Sequence, residues 1–207
     1  MVALEEHYTV PGIVSRIDPA AIRRRGFPGP DVVWAQVIKR NELANLGDAR
    51  LADMDASGIT VQVLSVAGPG ADVVLGAEGI ALARDYNNAL AEAASRHPDR
   101  LRGFAHLPMH SPDAAADELE RTIRDLGFHG LLVNGPTDGR FLDDPTFEPI
   151  LARAEALGVP IYSIPAFRRT KCGRRITTGC LEISASRWPY RAGAGTWRLR
   201  STCFGWF

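Results

Sequence analysis

Thr60-Val61-Gln62-Val63-Leu64-Ser65-Val66 is a run of β-branched and apolar residues, and Gly68-Pro69-Gly70 breaks the chain soon after it. Such a run bounded by turn residues reads as a β-strand. Outward from it, a helical pattern spans about Ala77 to Arg96 and stops at His97-Pro98, because the residue before a proline is pushed out of the helical region. The spacing predicts a strand near Leu101–Leu107 and a helix from the start signal Ser111-Pro112-Asp113 to about Leu126. Gly130–Val133 reads as a further strand, followed by the loop Asn134-Gly135-Pro136. Asp144-Pro145 opens another helix to about Leu157, and Val159–Tyr162 begins one more strand. In the other direction, about Asn41 to Ser57 is helical in pattern, with Leu43, Leu46, Leu51 and Met54 on one side and Gly58 as its stop.

The chain begins with a shorter strand, Val2-Ala3-Leu4-Glu5-Glu6-His7. Side chains alternate along an extended strand, so Glu5 and His7 are expected on one face and Glu6 on the other. A carboxylate and an imidazole one pleat repeat apart at a strand's carboxyl end could form half of a divalent-metal site. The competing reading is two ordinary polar residues where a strand meets its loop. Tyr8 to about Arg40 then reads as a long loop with Pro11, Pro19, Pro28, Pro30 and the basic run Arg23-Arg24-Arg25. That run is too small for a nucleic-acid interface and reads as a solvated face.

The resulting β–loop–α–β–α–β–α–β–α–β alternation argues for a parallel sheet, either open and doubly wound or a (β/α) barrel. No glycine-rich phosphate-binding motif follows any strand, which removes the main signal for nucleotide binding. In a barrel, chemistry sits at the carboxyl ends of the strands, where Glu5, His7, Ser65 and Asn134 are placed.

With 45% hydrophobic and 23% charged residues over 207 positions, the composition is that of a soluble globular protein. No apolar run is long enough to span a bilayer and no signal-peptide pattern is present, so a cytoplasmic location is expected. The formal net charge of zero hides an asymmetry. Residues 1–162 hold 15 basic and 23 acidic side chains, whereas residues 163–207 hold nine basic side chains and a single acid, Glu182. Cys172, Cys180 and Cys203 and three of the four tryptophans also fall in this last stretch, without the spacing of a zinc or redox motif. The composition therefore divides the chain into residues 1–162 and a basic tail, 163–207.

Several stretches, in order, resemble one family: Ala3-Leu4-Glu5-Glu6-His7, the segment Asp48 to Ile59, His97-Pro98-Asp99-Arg100-Leu101, Gly103-Phe104-Ala105-His106-Leu107-Pro108 and Leu126-Gly127-Phe128-His129-Gly130. The family is the amidohydrolase-related group of metal-dependent aromatic decarboxylases, and the resemblance covers about residues 2–162. It implies a TIM-like (β/α)8 barrel of the metal-dependent hydrolase type, with about five of the eight strands in this chain. It further implies one divalent ion, Zn2+ or Mn2+, with Glu5 and His7 as metal ligands and Arg50 on the substrate side. For Arg50 the competing reading is a helix-surface ion pair with Asp53 or Asp55. His106, His110 and His129 match no metal position, and packing or surface roles are expected. The implied activity is non-oxidative decarboxylation of a hydroxylated aromatic acid, which this truncated chain is expected not to carry out, with metal-dependent hydrolysis or a non-catalytic fragment as alternatives. The implied partner is a small aromatic carboxylate, with no nucleic acid and no membrane, and family members are expected to be homo-oligomers.

The resemblance breaks at Tyr162-Ser163-Ile164-Pro165, where the family pattern places a histidine at position 164. No counterpart of the later ligands follows, so the expected catalytic residues are not found, and an open barrel of five strands is expected to aggregate. Codon arithmetic offers an explanation. Set back by one base, Ser163-Ile164-Pro165 can read Leu-His-Pro, and Ala194 to Phe207 can read as an amphipathic helix with a family-like Glu-Thr-Ala-x-His signature. The tail 163–207 is accordingly expected to be out of frame, the alternative being a genuine arginine-rich extension. Resequencing the gene is expected to reveal a one-base loss near the Tyr162 codon; an intact frame without the shifted match overturns this.

Overall fold

Parallel pairing joins β1 (Val2–Tyr8) to β2 (Val61–Val66) and β2 to β3 (Leu101–Gly103). A second parallel pair joins β4 (Leu131–Asn134) to β5 (Ile161–Ile164), and a parallel bridge between Ala105 and Leu131 links the two groups. The structure is a computed structural model that describes residues 1–24, 43–68 and 70–164. The chain divides into two units, Met1–Arg168 and Arg169–Phe207, and every described residue belongs to the first.

The strands thus lie in chain order, β1 to β5, with helices in the connections: α1 (Pro11–Val14), α2 (Pro19–Arg24), α3 (Asp48–Ala56), α4 (Gly76–Arg96), α5 (Pro112–Arg124) and α6 (Glu148–Leu157). α4 buries Gly79, Leu82, Ala83, Tyr86, Asn87, Leu90 and Ala93, a stripe at helical spacing. Gly79 sits so close to the preceding turn that a Cβ there would lie 2.2 Å from the Val74 carbonyl oxygen. α6 ends at Gly158, whose φ of 66° supplies the left-handed cap that closes a helix.

The two faces of the sheet are covered differently. Tyr8, Leu64, Val66, Leu101, Leu131 and Val133 join the core formed with Leu82, Leu90, Leu119 and Ile150 of the helices. Val63, Phe104 and Leu132 form a separate cluster with Tyr162 and Ile164, to which no helix contributes among the described residues. A doubly wound sheet carries helices on both faces and reverses its strand order, and the described part of this one does neither.

The sheet is also curled. Laid flat, β1 and β5 would be about 19 Å apart, four spacings of about 4.8 Å. Yet the Tyr162 hydroxyl donates to Glu5 Oε2 at 3.1 Å across the inner, helix-free face. Only a sheet rolled like a barrel wall brings these two side chains together.

Several predicted boundaries move. α3 starts at Asp48; residues 43–47 of the predicted helix are not helical, and Asn45 Oδ1 there accepts from the Gly47 N–H at 2.9 Å, while Asn41 and Glu42 lie outside the described residues. The regular part of β3 stops at Gly103; beyond it the backbone switches partners, from the Leu64 carbonyl to that of Gly130. The stretch predicted as loop after Tyr8 contains α1 and α2, and its residues 25–40, with Arg25 of the basic run, lie outside the described residues. β5 runs to Ile164, two residues past the change of composition, while the rest of the basic tail with its three cysteines lies outside the described residues. No helix among the described residues is long and apolar enough to cross a membrane.

A buried polar network ties α4 and α5 to the end of β3. Asn87 Nδ2 donates to the His106 carbonyl and to Glu118 Oε1, and Asn87 Oδ1 accepts from the His106 N–H. His106 Nε2 accepts from the Ala71 N–H at 2.8 Å, so the ring is neutral with its proton on Nδ1. Burial holds its pKa below the usual histidine value, against the opposing pull of Asp72. A depressed folded pKa means that the unfolded chain takes up a proton which the folded chain refuses. Stability from this site is therefore complete above about pH 6.5 and is lost as the pH falls below it. Urea midpoints measured from pH 8 to pH 5 should fall on the acid side. His106→Gln should flatten that fall in part, because burial holds His7 and His129 down in the same direction.

Candidate metal-binding end of the sheet

Glu5 and His7 reach the same face, but not through an unbroken pleat. Ala3 pairs with Gln62 and Glu6 with Leu64, so β1 carries one residue more than β2 between these points. This bulge interrupts the expected alternation at Glu5. Beyond it Glu6 shares the helix-covered face of Leu64, and His7 pairs with Ser65 on the inner face. Glu5, within the bulge, also turns inward, to Tyr162. Ser65, Asn134 and Ile164 complete this carboxyl-end layer, Asn134 and Ile164 being direct partners in the β4–β5 ladder.

Each of the two candidate ligands is held by a neighbour. His7 Nδ1 lies 2.9 Å from Ser65 Oγ, itself only 1% exposed. Burial lowers the His7 pKa, opposed by the charges of Glu5 and Glu6 and by the Ser65 backbone, while Arg50 lowers it further. The ring is thus kept in the neutral form that binds a metal. Tyr162 stacks on Phe104, with centroids 5.9 Å apart and planes 16° from parallel. Burial and the Glu5 charge both raise its pKa, so its hydroxyl stays a donor to Glu5.

A carboxylate oxygen and a neutral imidazole nitrogen are a donor set suited to zinc or manganese. They are two donors, whereas structural and catalytic sites use three or four protein ligands. Among the described residues no group of three or more His, Cys, Asp or Glu side chains could hold a metal. Position 164, where the sequence pattern placed a histidine, is on the inner face, and isoleucine fills it.

Arg50 is buried, at 9% exposure, and is not the surface ion-pair partner considered from the sequence. Asp55 instead pairs with Arg100 Nη2 at 2.5 Å. From α3, Arg50 Nε donates to the Asn45 carbonyl, Nη1 to Gln62 Oε1 and Nη2 to the His7 carbonyl. It approaches from the helix-covered side, the side of Gln62, and clamps the backbone of the residue whose ring faces inward.

The other histidines are occupied elsewhere. His106 belongs to the buried network of α4 and α5, and His129 is exposed near Arg102, with its backbone N–H donating to the Gly103 carbonyl. His110 ties loops together, with Nε2 at 2.9 Å from the Asp72 carbonyl and Nδ1 at 3.0 Å from Asp138 Oδ2. Asp138 takes up a φ of 50°, rare for a residue other than glycine. Tyr162 and Gln62 are neighbours of the site that sequence reasoning did not assign, and Ser65 was placed at this end without a role. The one local signal was Ser65 and Gln62 as polar residues inside a β-branched run.

Successive parallel strands curled about a helix-free face, with an acid–imidazole pair at their carboxyl ends, define a barrel-type α/β protein with a candidate metal-binding end. The chain matches the amidohydrolase family over residues 15–196, and it belongs to that family. It is 39% identical over 216 aligned residues to γ-resorcylate decarboxylase of Rhodococcus jostii strain RHA1, covering all of this chain and 62% of that relative. The structure is similar to manganese-bound 5-carboxyvanillate decarboxylase of Novosphingobium aromaticivorans, with a TM-score of 0.70, 32% identity and coverage of 80% of this chain and 50% of that one. It is also similar to 2,6-dihydroxybenzoate decarboxylase in complex with 2,6-dihydroxybenzoate, with a TM-score of 0.67, 37% identity and coverage of 81% and 51%. The chain spans about half to three-fifths of the length of these relatives.

Arg50→Met removes three hydrogen bonds at once and leaves the His7 carbonyl without its donor. Stability should drop by about 2–4 kcal/mol, read from urea unfolding. Arg50→Lys should recover only part of the loss, because a single ammonium cannot reproduce the guanidinium fork.

Proposed function

We propose that the chain carries part of the active site of a divalent-metal-dependent, non-oxidative decarboxylase of hydroxylated aromatic acids. The observation that carries this reading is the convergence of Glu5 and His7 on one inner face at the carboxyl end of the sheet. The resemblance to decarboxylases of γ-resorcylate, 2,6-dihydroxybenzoate and 5-carboxyvanillate supports it. Glu5 and His7 would hold the ion, Zn2+ or Mn2+, of which manganese is the one bound in the 5-carboxyvanillate relative. When bound, such an ion neutralises carboxylate and phenolate oxygens and fixes their geometry, which is Lewis-acid and template chemistry.

The chain's own residues prepare this end in three ways. Tyr162 holds the Glu5 carboxylate by its hydroxyl. Arg50 fixes the His7 backbone from behind the sheet, which makes it a positioning residue; a direct contact with substrate, as the resemblance implies, would require its guanidinium to leave its present acceptors. Phe104, buried and stacked on Tyr162, packs with Val63 and Leu132 into the apolar layer that carries the Tyr162 ring at the polar end.

Mn2+ titrations followed by the loss of the free-ion EPR signal should show weak binding, as two donors allow, that Glu5→Gln and His7→Ala abolish. Ile164→His should strengthen it by about tenfold or more by adding a third ligand on the same face. The gene product read in the restored frame should release carbon dioxide from members of a hydroxybenzoate panel and lose that activity to a chelator. Chelator-resistant turnover, or hydrolysis of lactones or amides in its place, overturns the proposal.

A further inference from the structure

Ser65 lies where β2 passes beneath the candidate metal end, and its hydroxyl has two neighbours. Oγ is 3.3 Å from the Glu6 carbonyl oxygen, to which it donates, and 2.9 Å from His7 Nδ1. A carbonyl only accepts, and a serine hydroxyl has a single proton. With that proton on the Glu6 carbonyl, Oγ meets the imidazole as an acceptor. Nδ1 must then carry the ring's proton, and the Nε2 lone pair is left for a ligand. Ser65 is 1% exposed, so neither of its bonds can be exchanged for bulk water without cost.

We infer that Ser65 is a positioning residue that fixes His7 as its Nδ1–H tautomer, with Nε2 presented as the metal donor. This deepens the metal-site reading and rests on it for its consequence, though the tautomer itself does not depend on any ion. The relay has three members on two strands. The Glu6 carbonyl orients the Ser65 hydroxyl, the hydroxyl orients the His7 ring, and Arg50 holds the His7 carbonyl so that the ring cannot back away. The β1 bulge contributes as well, because the one-residue slip between Ala3 and Glu6 is what brings His7 level with Ser65. Groups that orient a metal-binding histidine through its other nitrogen commonly change metal affinity by about ten- to a hundredfold when removed.

The test uses the full chain, free of metal, with 15N-labelled histidine at about pH 8, where imidazole is neutral. Long-range 1H–15N spectra, with the His7 signals assigned by their loss in His7→Gln, distinguish a protonated Nδ1 from a protonated Nε2. Wild type should show the Nδ1–H form. Ser65→Ala, checked for folding by circular dichroism, should shift the ring towards the Nε2–H form, and Ser65→Thr, which keeps the hydroxyl, should restore the wild-type pattern. Mn2+ affinity should fall about ten- to a hundredfold in Ser65→Ala and recover in Ser65→Thr. An Nε2–H ring in wild type, or a tautomer unchanged in Ser65→Ala, overturns the inference whatever the metal does. A tautomer shift in a protein that binds no Mn2+ upholds the role of Ser65 and overturns the metal reading alone.

Discussion

The rolling of the parallel sheet is the constraint on which the rest depends, and the bond between Glu5 on the first strand and Tyr162 on the fifth marks how far it goes. Parallel strands joined by helices bury their outer face under those helices, and a flat sheet would leave the other face open to water. Rolling turns that face into a wall narrow enough for side chains from opposite edges to touch. Phe104 then stacks on Tyr162, Val63 and Leu132 fill the layer beneath, and the polar groups of the strand ends gather above them. The inner face is thus apolar below and polar above.

Polar side chains on the two faces have different work. On the helix side they satisfy the backbone: Arg50 bonds the Asn45 and His7 carbonyls, Asn87 bonds both backbone groups of His106, and the Tyr8 hydroxyl donates to the Tyr86 carbonyl. Each is buried with its partners in place, as a stable interior demands. On the inner side Glu5 and His7 are held by one neighbour apiece, Tyr162 and Ser65, which orient them without using up their capacity to bind something else. The distinction separates His106 from His7, two histidines whose pKa values burial moves the same way. In His106 the Nε2 lone pair is already engaged by the Ala71 amide, whereas in His7 the hydrogen-bonded nitrogen is Nδ1.

The order of strands and helices was legible because it is written locally, in β-branched runs such as Val61–Val66 and in stops such as His97-Pro98 and Gly158. The choice of barrel over doubly wound sheet was not local, and in the sequence it rested on resemblance. In the structure it rests on a contact between residues 157 positions apart. Glu5 and His7 were placed on one face by counting alternate residues, and the count survives although a bulge breaks the pleat between Ala3 and Glu6. Arg50 could be singled out, but its burial could not, since its acceptors come from β1, from β2 and from the turn before its own helix. The start of α3 was misread for a related reason: Leu43 and Leu46 fit a helical stripe, but the Asn45 side chain offers the backbone a better local partner.

Ile164 shows how geometry and chemistry can part company at a single position. Its backbone pairs with Asn134 in regular register, and its side chain packs on the inner cluster with Tyr162. Ile164 sits at a strand carboxyl end on the concave face of a rolled sheet whose first strand carries Glu5 and His7. What the position lacks is a donor atom. A branched hydrocarbon in that place extends the apolar layer one step towards the polar end and withholds a third ligand from the pair. At residue 164 the backbone register and the inward direction are set by the sheet, and only the chemistry of the side chain decides that this place is apolar.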